Sequence, residues 1–182
     1  MMFLLRMLTR NRGRKLDPLH VSMTGVRMGE HVLQIGCSDR ALLSGVAAKV
    51  GLSGTAAVAT YDEDDDDRAT AVGAKIGALI QTQPIAGKVL PFESDLFDMV
   101  VVDDTRGRFA ALAEDTRLEL LREAKRVVRK GGRIEIVEGV TTRAAGYDVL
   151  RDLTTAGFKP ARLLAEREGF RFLEGLRPAA GS

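Results

Sequence analysis

The sequence predicts an α/β fold: a mostly parallel sheet with helices on both faces, closed by a C-terminal antiparallel hairpin. Three observations predict it. The run Val32-Leu33-Gln34-Ile35 enters a Gly36-Cys37-Ser38 turn and hands over to an Ala/Leu/Val-rich helical pattern, the first step of a βαβ unit. Asp98-Met99-Val100-Val101-Val102-Asp103 is a continuous apolar run bounded by acids, as expected of a strand covered on both faces. Strand and helix patterns alternate along the chain until a last pair of strands parted only by Glu168-Gly169.

Each element has its own warrant. After Pro18 a short helical or irregular segment leads through Gly25 and Gly29 to a strand at 31–35. A helix follows at about 39–50, closed by Gly51 and Gly54. The small, β-compatible residues 55–60 form the second strand. Residues 62–67 are all acidic and open a helix that continues through Ala69, Val72 and Ile76 and ends at Gly77. Acids suit a helix N-terminus through the macrodipole, although so many together repel one another. Residues 79–81 read as a weak third strand, and 84–95 as a loop broken by Pro91. After the strand at 98–103, Leu118, Leu121, Ala124, Val127 and Val128 recur at helical spacing. Lys125, Arg126, Arg129 and Lys130 enrich the last turns of that helix, and Gly131-Gly132 is expected to stop it. A strand at 133–138, a helix at 147–156 ended by Gly157, and strands at 161–164 and 170–174 complete the chain.

Bulk properties exclude several classes. At 182 residues, 45% hydrophobic and 29% charged, the chain has an ordinary globular composition with room for one sizeable core. The net charge of +2 conceals a split between the acidic run and residues 1–15, where Arg6, Arg10, Arg12, Arg14 and Lys15 meet no acid. No basic stripe with interleaved aromatics suggests a nucleic-acid partner. One cysteine allows no internal disulfide and fits a reducing cytoplasm. Two histidines and one cysteine are too few for an ordinary zinc site, so no metal is expected. Residues 1–24 read as a basic, apolar arm ahead of a domain over 25–182. Its run Phe3-Leu4-Leu5-Arg6-Met7-Leu8 is far shorter than the ~20 residues that span a bilayer. Two readings of residues 1–15 stand: an arm or helix packed on the domain, and a basic amphipathic segment touching an anionic membrane surface.

Two later segments carry a resemblance. Leu90-Pro91-Phe92-Glu93-Ser94-Asp95-Leu96-Phe97-Asp98-Met99-Val100-Val101 resembles a segment of class I S-adenosylmethionine-dependent methyltransferases, in the small-molecule branch that includes the ubiquinone/menaquinone methyltransferases. Leu121-Arg122-Glu123-Ala124-Lys125-Arg126-Val127-Val128-Arg129-Lys130-Gly131-Gly132-Arg133 resembles a second segment of that branch. Val32–Cys37 resembles its glycine-rich first motif. The resemblance implies a Rossmann-like, seven-stranded sheet with the last strand antiparallel. It also implies S-adenosylmethionine as cofactor and methyl transfer to a small or lipid-like acceptor. The alternative is a catalytically degenerate relative that binds another ligand or a protein partner.

Ligands of such sheets bind at the carboxyl ends of the strands. On the family's pattern the cofactor-binding candidates are Gln34, Gly36, Cys37, Ser38, Thr60, Tyr61, Asp62, Ala86, Gly87 and Asp103, with Asp104 as the candidate catalytic base. The chain departs from the pattern in several places. Gln34 stands where the family has an acid, and Ser38 and Arg40 stand where it has glycines. Thr60 falls at the ribose-binding acid, with Asp62 two residues on, and Ala86 falls at the adenine-side acid. Gln34 keeps a carbonyl acceptor but no charge. Arg40 would suit an anion better than a sulfonium. Each candidate has a structural reading as well. The glycine turn can serve packing alone, the acidic run can be a solvated helix start, and Asp103 or Asp104 can cap the next segment. Cys37 has no histidine to activate it and reads as a small apolar residue.

Overall fold

The computed structural model of the protein describes residues 18–179. The membrane-contact segment predicted at residues 1–15 lies outside them. Seven strands form one sheet in the order β3-β2-β1-β4-β5-β7-β6. They are β1 (His31–Ile35), β2 (Thr55–Thr60), β3 (Ile80–Pro84), β4 (Phe97–Asp104), β5 (Val128–Gly139), β6 (Ala161–Arg167) and β7 (Phe170–Leu176). The first five run parallel, and β7 lies antiparallel between β5 and β6. This is the α/β architecture expected, hairpin included.

The helices are α1 (Pro18–Met23), α2 (Arg40–Val50), α3 (Glu63–Ile76), α4 (Glu114–Val127) and α5 (Val149–Ala156). Strand periodicity divides the core between the two faces. Leu33, Ile35, Val100, Val102 and Ile134 pack with Leu120, Leu121 and Ala124 of α4 and Val149 and Leu153 of α5. Val32, Ala56, Met99 and Val101 pack instead with Leu42, Val46 and Val50 of α2, and Val58 with Leu43 of α2 and Ala69 and Val72 of α3. Helix α1 joins this second face by resting Val21 on Gly45, where a Cβ would lie 2.3 Å from the valine.

Several element boundaries differ from expectation. The third strand runs Ile80–Pro84 rather than 79–81, and Leu79 is 95% exposed. Helix α4 ends at Val127, before the glycine pair that was expected to stop it. Val128 is already extended and pairs with Phe97. Gly131, at φ +74°, sits inside β5 beside a register shift, so the glycines absorb a bulge instead of capping a helix. The closing strands are longer than predicted: the Glu168-Gly169 turn, with both residues at positive φ, joins β6 and β7 in an antiparallel ladder that shifts register between Leu163 and Ala165.

Candidate functional site

The carboxyl ends of β1, β2, β4 and β5 meet at one edge of the sheet, and their hydrogen bonds define the site. At the end of β1, Gly36 turns the chain at φ +78° while its N–H donates to the Ala59 carbonyl at 2.8 Å. Gln34 is buried under this turn. Its Nε2 donates to the Gly36 carbonyl at 2.9 Å, and its Oε1 has no partner. The turn ends at Asp39, which caps α2 by accepting from the Ala41 and Leu42 N–H groups. Cys37 is fully buried, and burial pushes its thiol up to about 12, so it is no thiolate nucleophile.

Asp103 and Asp104 end β4 on opposite faces and do different work. Asp103 ties the site together. Its Oδ2 accepts from the Asp39 N–H at 2.7 Å, and its Oδ1 accepts from the Thr105 hydroxyl at 2.6 Å and the Thr105 N–H at 3.2 Å. Asp104 uses Oδ1 to accept from the Phe109 and Ala110 N–H groups at 2.8 and 3.0 Å. Its Oδ2 is buried without a partner. Burial raises the Asp103 carboxyl to about 6 and the Asp104 carboxyl to about 7, against the lowering effect of those hydrogen bonds. Glu138, opposite Asp104 in the β4–β5 register, adds to the upward push on Asp104.

Glu138 and Tyr147 belong to the site although the sequence did not nominate them. Glu138 is fully buried, its Oε2 held by Arg171 at 2.8 Å and its Oε1 without a hydrogen bond but 3.8 Å from the Arg143 guanidinium. The Tyr147 hydroxyl is also buried without a partner, and burial beside Asp104, Asp152 and Glu138 raises its pKa. A fifth strand ending in an acid next to the best strand was the available signal for Glu138. No local signal marked Tyr147, which reaches the site from the segment before α5.

At the end of β2 the site is clasped. Thr60 stops the strand, and its hydroxyl donates to the Gln83 carbonyl at 3.4 Å. The Tyr61 ring lies against Gly36, where an added Cβ would come within 2.9 Å of it. The Arg108 guanidinium covers that ring at 4.7 Å and donates to Asp62 at 2.7 Å. It also reaches Asp65 at 3.4 Å. Asp62 is the N-cap of α3, and the Arg108 hydrogen bond holds its carboxyl below the ordinary range. Asp65, from the run read as a solvated helix start, is fully buried: it accepts from the Tyr61 N–H and pairs with Arg68 at 2.7 Å. Ala86 and Gly87 form an exposed turn closed by the Ala86–Val89 pair. The structure thus gathers Gln34, Gly36, Thr60, Tyr61, Asp62, Asp103 and Asp104 at one edge. Ser38 enters the wall of a cavity between α2 and α3, and Ala86 and Gly87 remain at the surface. Among the described residues no cluster of His, Cys, Asp and Glu is arranged to hold a metal, and no helix is long and apolar enough to cross a membrane.

Comparison with known proteins adds a family. The profile described as the ubiE/COQ5 methyltransferase family matches residues 12–175. A curated relative, the mitochondrial 2-methoxy-6-polyprenyl-1,4-benzoquinol methylase of Leishmania donovani, is 33% identical over 90 residues. That stretch is 48% of this chain and only 30% of the relative, so less than a third of that protein is represented. Among solved structures, a SAM-dependent methyltransferase from Aquifex aeolicus superposes with a TM-score of 0.73 at 18% identity, covering 88% of this chain and 89% of that one. TrmN from Thermus thermophilus does so with a TM-score of 0.66 at 18% identity, over 90% and 49% of the two chains. The [4+2]-cyclase SpnF gives 0.69 at 16% identity, over 94% and 86%. At these identities the structural likeness speaks for the fold, and a fold hosts more than one chemistry.

Proposed function

Since the chain belongs to the ubiE/COQ5 methyltransferase family, we propose that it transfers a methyl group from S-adenosylmethionine to a small or lipid-like acceptor. The observation that carries this reading is the pair of buried acceptors at the strand ends that have no hydrogen-bond partner, Gln34 Oε1 and Asp104 Oδ2. Unpaired buried acceptors are costly, and a ligand that supplies donors or positive charge offsets that cost. Gln34 Oε1 therefore fits the ammonium end of the cofactor, and Asp104 Oδ2 is left to the methyl acceptor. When bound, S-adenosylmethionine supplies an electrophilic methyl carbon to the acceptor's nucleophile and leaves as S-adenosylhomocysteine.

The chain's own residues divide the remaining work in this proposal. Gln34 and the backbone of Gly36, Cys37 and Ser38 hold the amino-acid end. Thr60, Tyr61 and Asp62 meet the ribose and the adenine, with Ala86 and Gly87 at the rim. Asp103 keeps the turn against β4. Asp104 Oδ2 accepts the acceptor's proton, and a carboxyl raised to about 7 is matched to that task near neutral pH. Orientation and exclusion of water supply the rest of the rate. A reducing, cytoplasmic setting is part of the proposal and rests on the single buried cysteine.

The ribose end fits less well, because Thr60 carries no charge and Arg108 occupies Asp62. This clasp favours a second reading, a degenerate relative that binds another ligand. Isothermal titration of the full chain with S-adenosylmethionine and S-adenosylhomocysteine separates the two. Methyl transfer requires saturable binding of both. Absence of heat up to millimolar ligand defeats it and leaves the second reading.

A further inference from the structure

A cavity of about 560 Å³ lies between α2 and α3, walled by Ser38, Asp39, Ala41, Ser44, Ala71, Val72 and other residues of those helices. Of the strand-end residues only Ser38 lines it, and Gln34, Gly36, Thr60, Tyr61, Asp62, Asp103 and Asp104 do not, so it adjoins that site on the side of α2 and α3. Small side chains make the space. Ala41 and Ser44 on α2 face Ala71 and Val72 on α3, with Ile76 one turn further on. The volume is that of a small-molecule site.

Its charge is mostly positive. Arg40, Arg68, Lys75 and Arg106 line it, from α2, α3 and the segment after β4. Arg68 is neutralised, since it pairs with Asp65 and donates to the Cys37 carbonyl at 2.7 Å. Arg40, Lys75 and Arg106 make no ion pair with any of the described residues. The carboxylate in the wall, Asp39, is spent on the Ala41 and Leu42 N–H groups, so the end of α2 is already capped and the side chains carry the site. Three cations without an ion pair among the described residues, against the single carboxylate of Asp39, leave a concave, largely apolar wall net positive and select an anion with an apolar body. A sulfonium cofactor has the opposite charge.

We propose that this cavity binds a small organic phosphate, its phosphate held by Arg40, Lys75 and Arg106 and its apolar body resting on Ala41, Ala71, Val72 and Ile76. The proposal does not depend on the methyl-transfer reading.

The test uses the full chain, hexyl phosphate as probe and hexanol as its uncharged counterpart. Arg40→Gln/Lys75→Gln alters the rim, and Lys49→Gln/Lys130→Gln removes equal charge from exposed positions elsewhere. Hexyl phosphate is expected to bind the parent and the charge-matched control alike. Losing two charge-assisted contacts is expected to weaken binding to the rim variant by at least about tenfold. Hexanol is expected to give no heat. Equal binding by the rim variant, equal binding of hexanol, or competition by S-adenosylhomocysteine overturns the proposal. So does binding to phosphatidylserine vesicles without binding to hexyl phosphate.

Discussion

Replacing Glu135 by glutamine is expected to stabilise the protein at neutral pH. Glu135 lies on β5 with no solvent exposure and no partner for either carboxylate oxygen. Its cross-strand neighbour is another acid, Glu174, which is engaged by Arg162 at 2.9 Å. Burial, reinforced by Glu174, pushes the Glu135 carboxyl from 4.5 up to about 9. The folded protein therefore keeps this proton where the unfolded chain has released it. Below pH 4.5 both states are protonated, and the site does not affect the pH dependence of stability. Above it the parent loses about 1.4 kcal/mol per pH unit from this group until the folded carboxyl titrates near pH 9. At pH 7 the accumulated loss is about 3 kcal/mol by that linkage. Glutamine mimics the protonated carboxyl and carries no such loss. Urea unfolding of parent and variant at pH 5, 6, 7 and 8 measures the difference. The variant's advantage should be below about 1 kcal/mol at pH 5 and should grow with each step. A variant no more stable than the parent at pH 7, or an advantage independent of pH, refutes the reasoning.

Two other substitutions probe the site and its support. Arg108→Gln frees Asp62 and uncovers Tyr61. A half-exposed ion pair of this kind is worth about 1 kcal/mol, so S-adenosylhomocysteine should bind roughly fivefold more tightly by titration calorimetry. Weaker binding would show that Arg108 holds the ligand rather than the clasp. Arg117→Met removes a buried guanidinium that pairs with Asp152 at 3.1 Å, donates to the Ala110 and Leu112 carbonyls and covers the Tyr147 ring. Leaving Asp152 buried with only Arg151 beside it should cost about 3 kcal/mol in chemical denaturation, and a loss below about 1 kcal/mol would contradict that account.

Much of this architecture was legible in the chain because local signals agreed with the fold. The apolar runs at β1 and β4 match strands buried on both faces, and the acids at the start of α3 match its N-terminus. Gly77 and Gly157 close α3 and α5 in left-handed geometry, as their positions implied. One error arose where glycine has two uses. Gly131-Gly132 follows a helical pattern and reads as a stop, yet pairing with Phe97 turns Val128 into a strand residue and leaves the glycines to form a bulge.

The site was only half legible. The strand-end rule located Gln34, Gly36, Thr60, Asp103 and Asp104, because parallel sheets bring those ends together whatever the loops contain. The rule could not say which oxygen stays free. Asp103 and Asp104 are neighbours of identical type, and only the Asp39, Thr105, Phe109 and Ala110 N–H groups that reach them make one a brace and leave the other with an unpaired oxygen. Arg108 on Asp62, Glu138 beside Asp104 and the cations around the cavity between α2 and α3 come from positions distant in sequence. The sequence by itself determined the fold class and the strand ends where a site was expected, since periodicity and the alternation of strand and helix patterns are local properties of the chain. Which charges are buried, paired or left to a ligand was decided by the tertiary structure, because desolvation and hydrogen bonding depend on what the rest of the chain packs around each group.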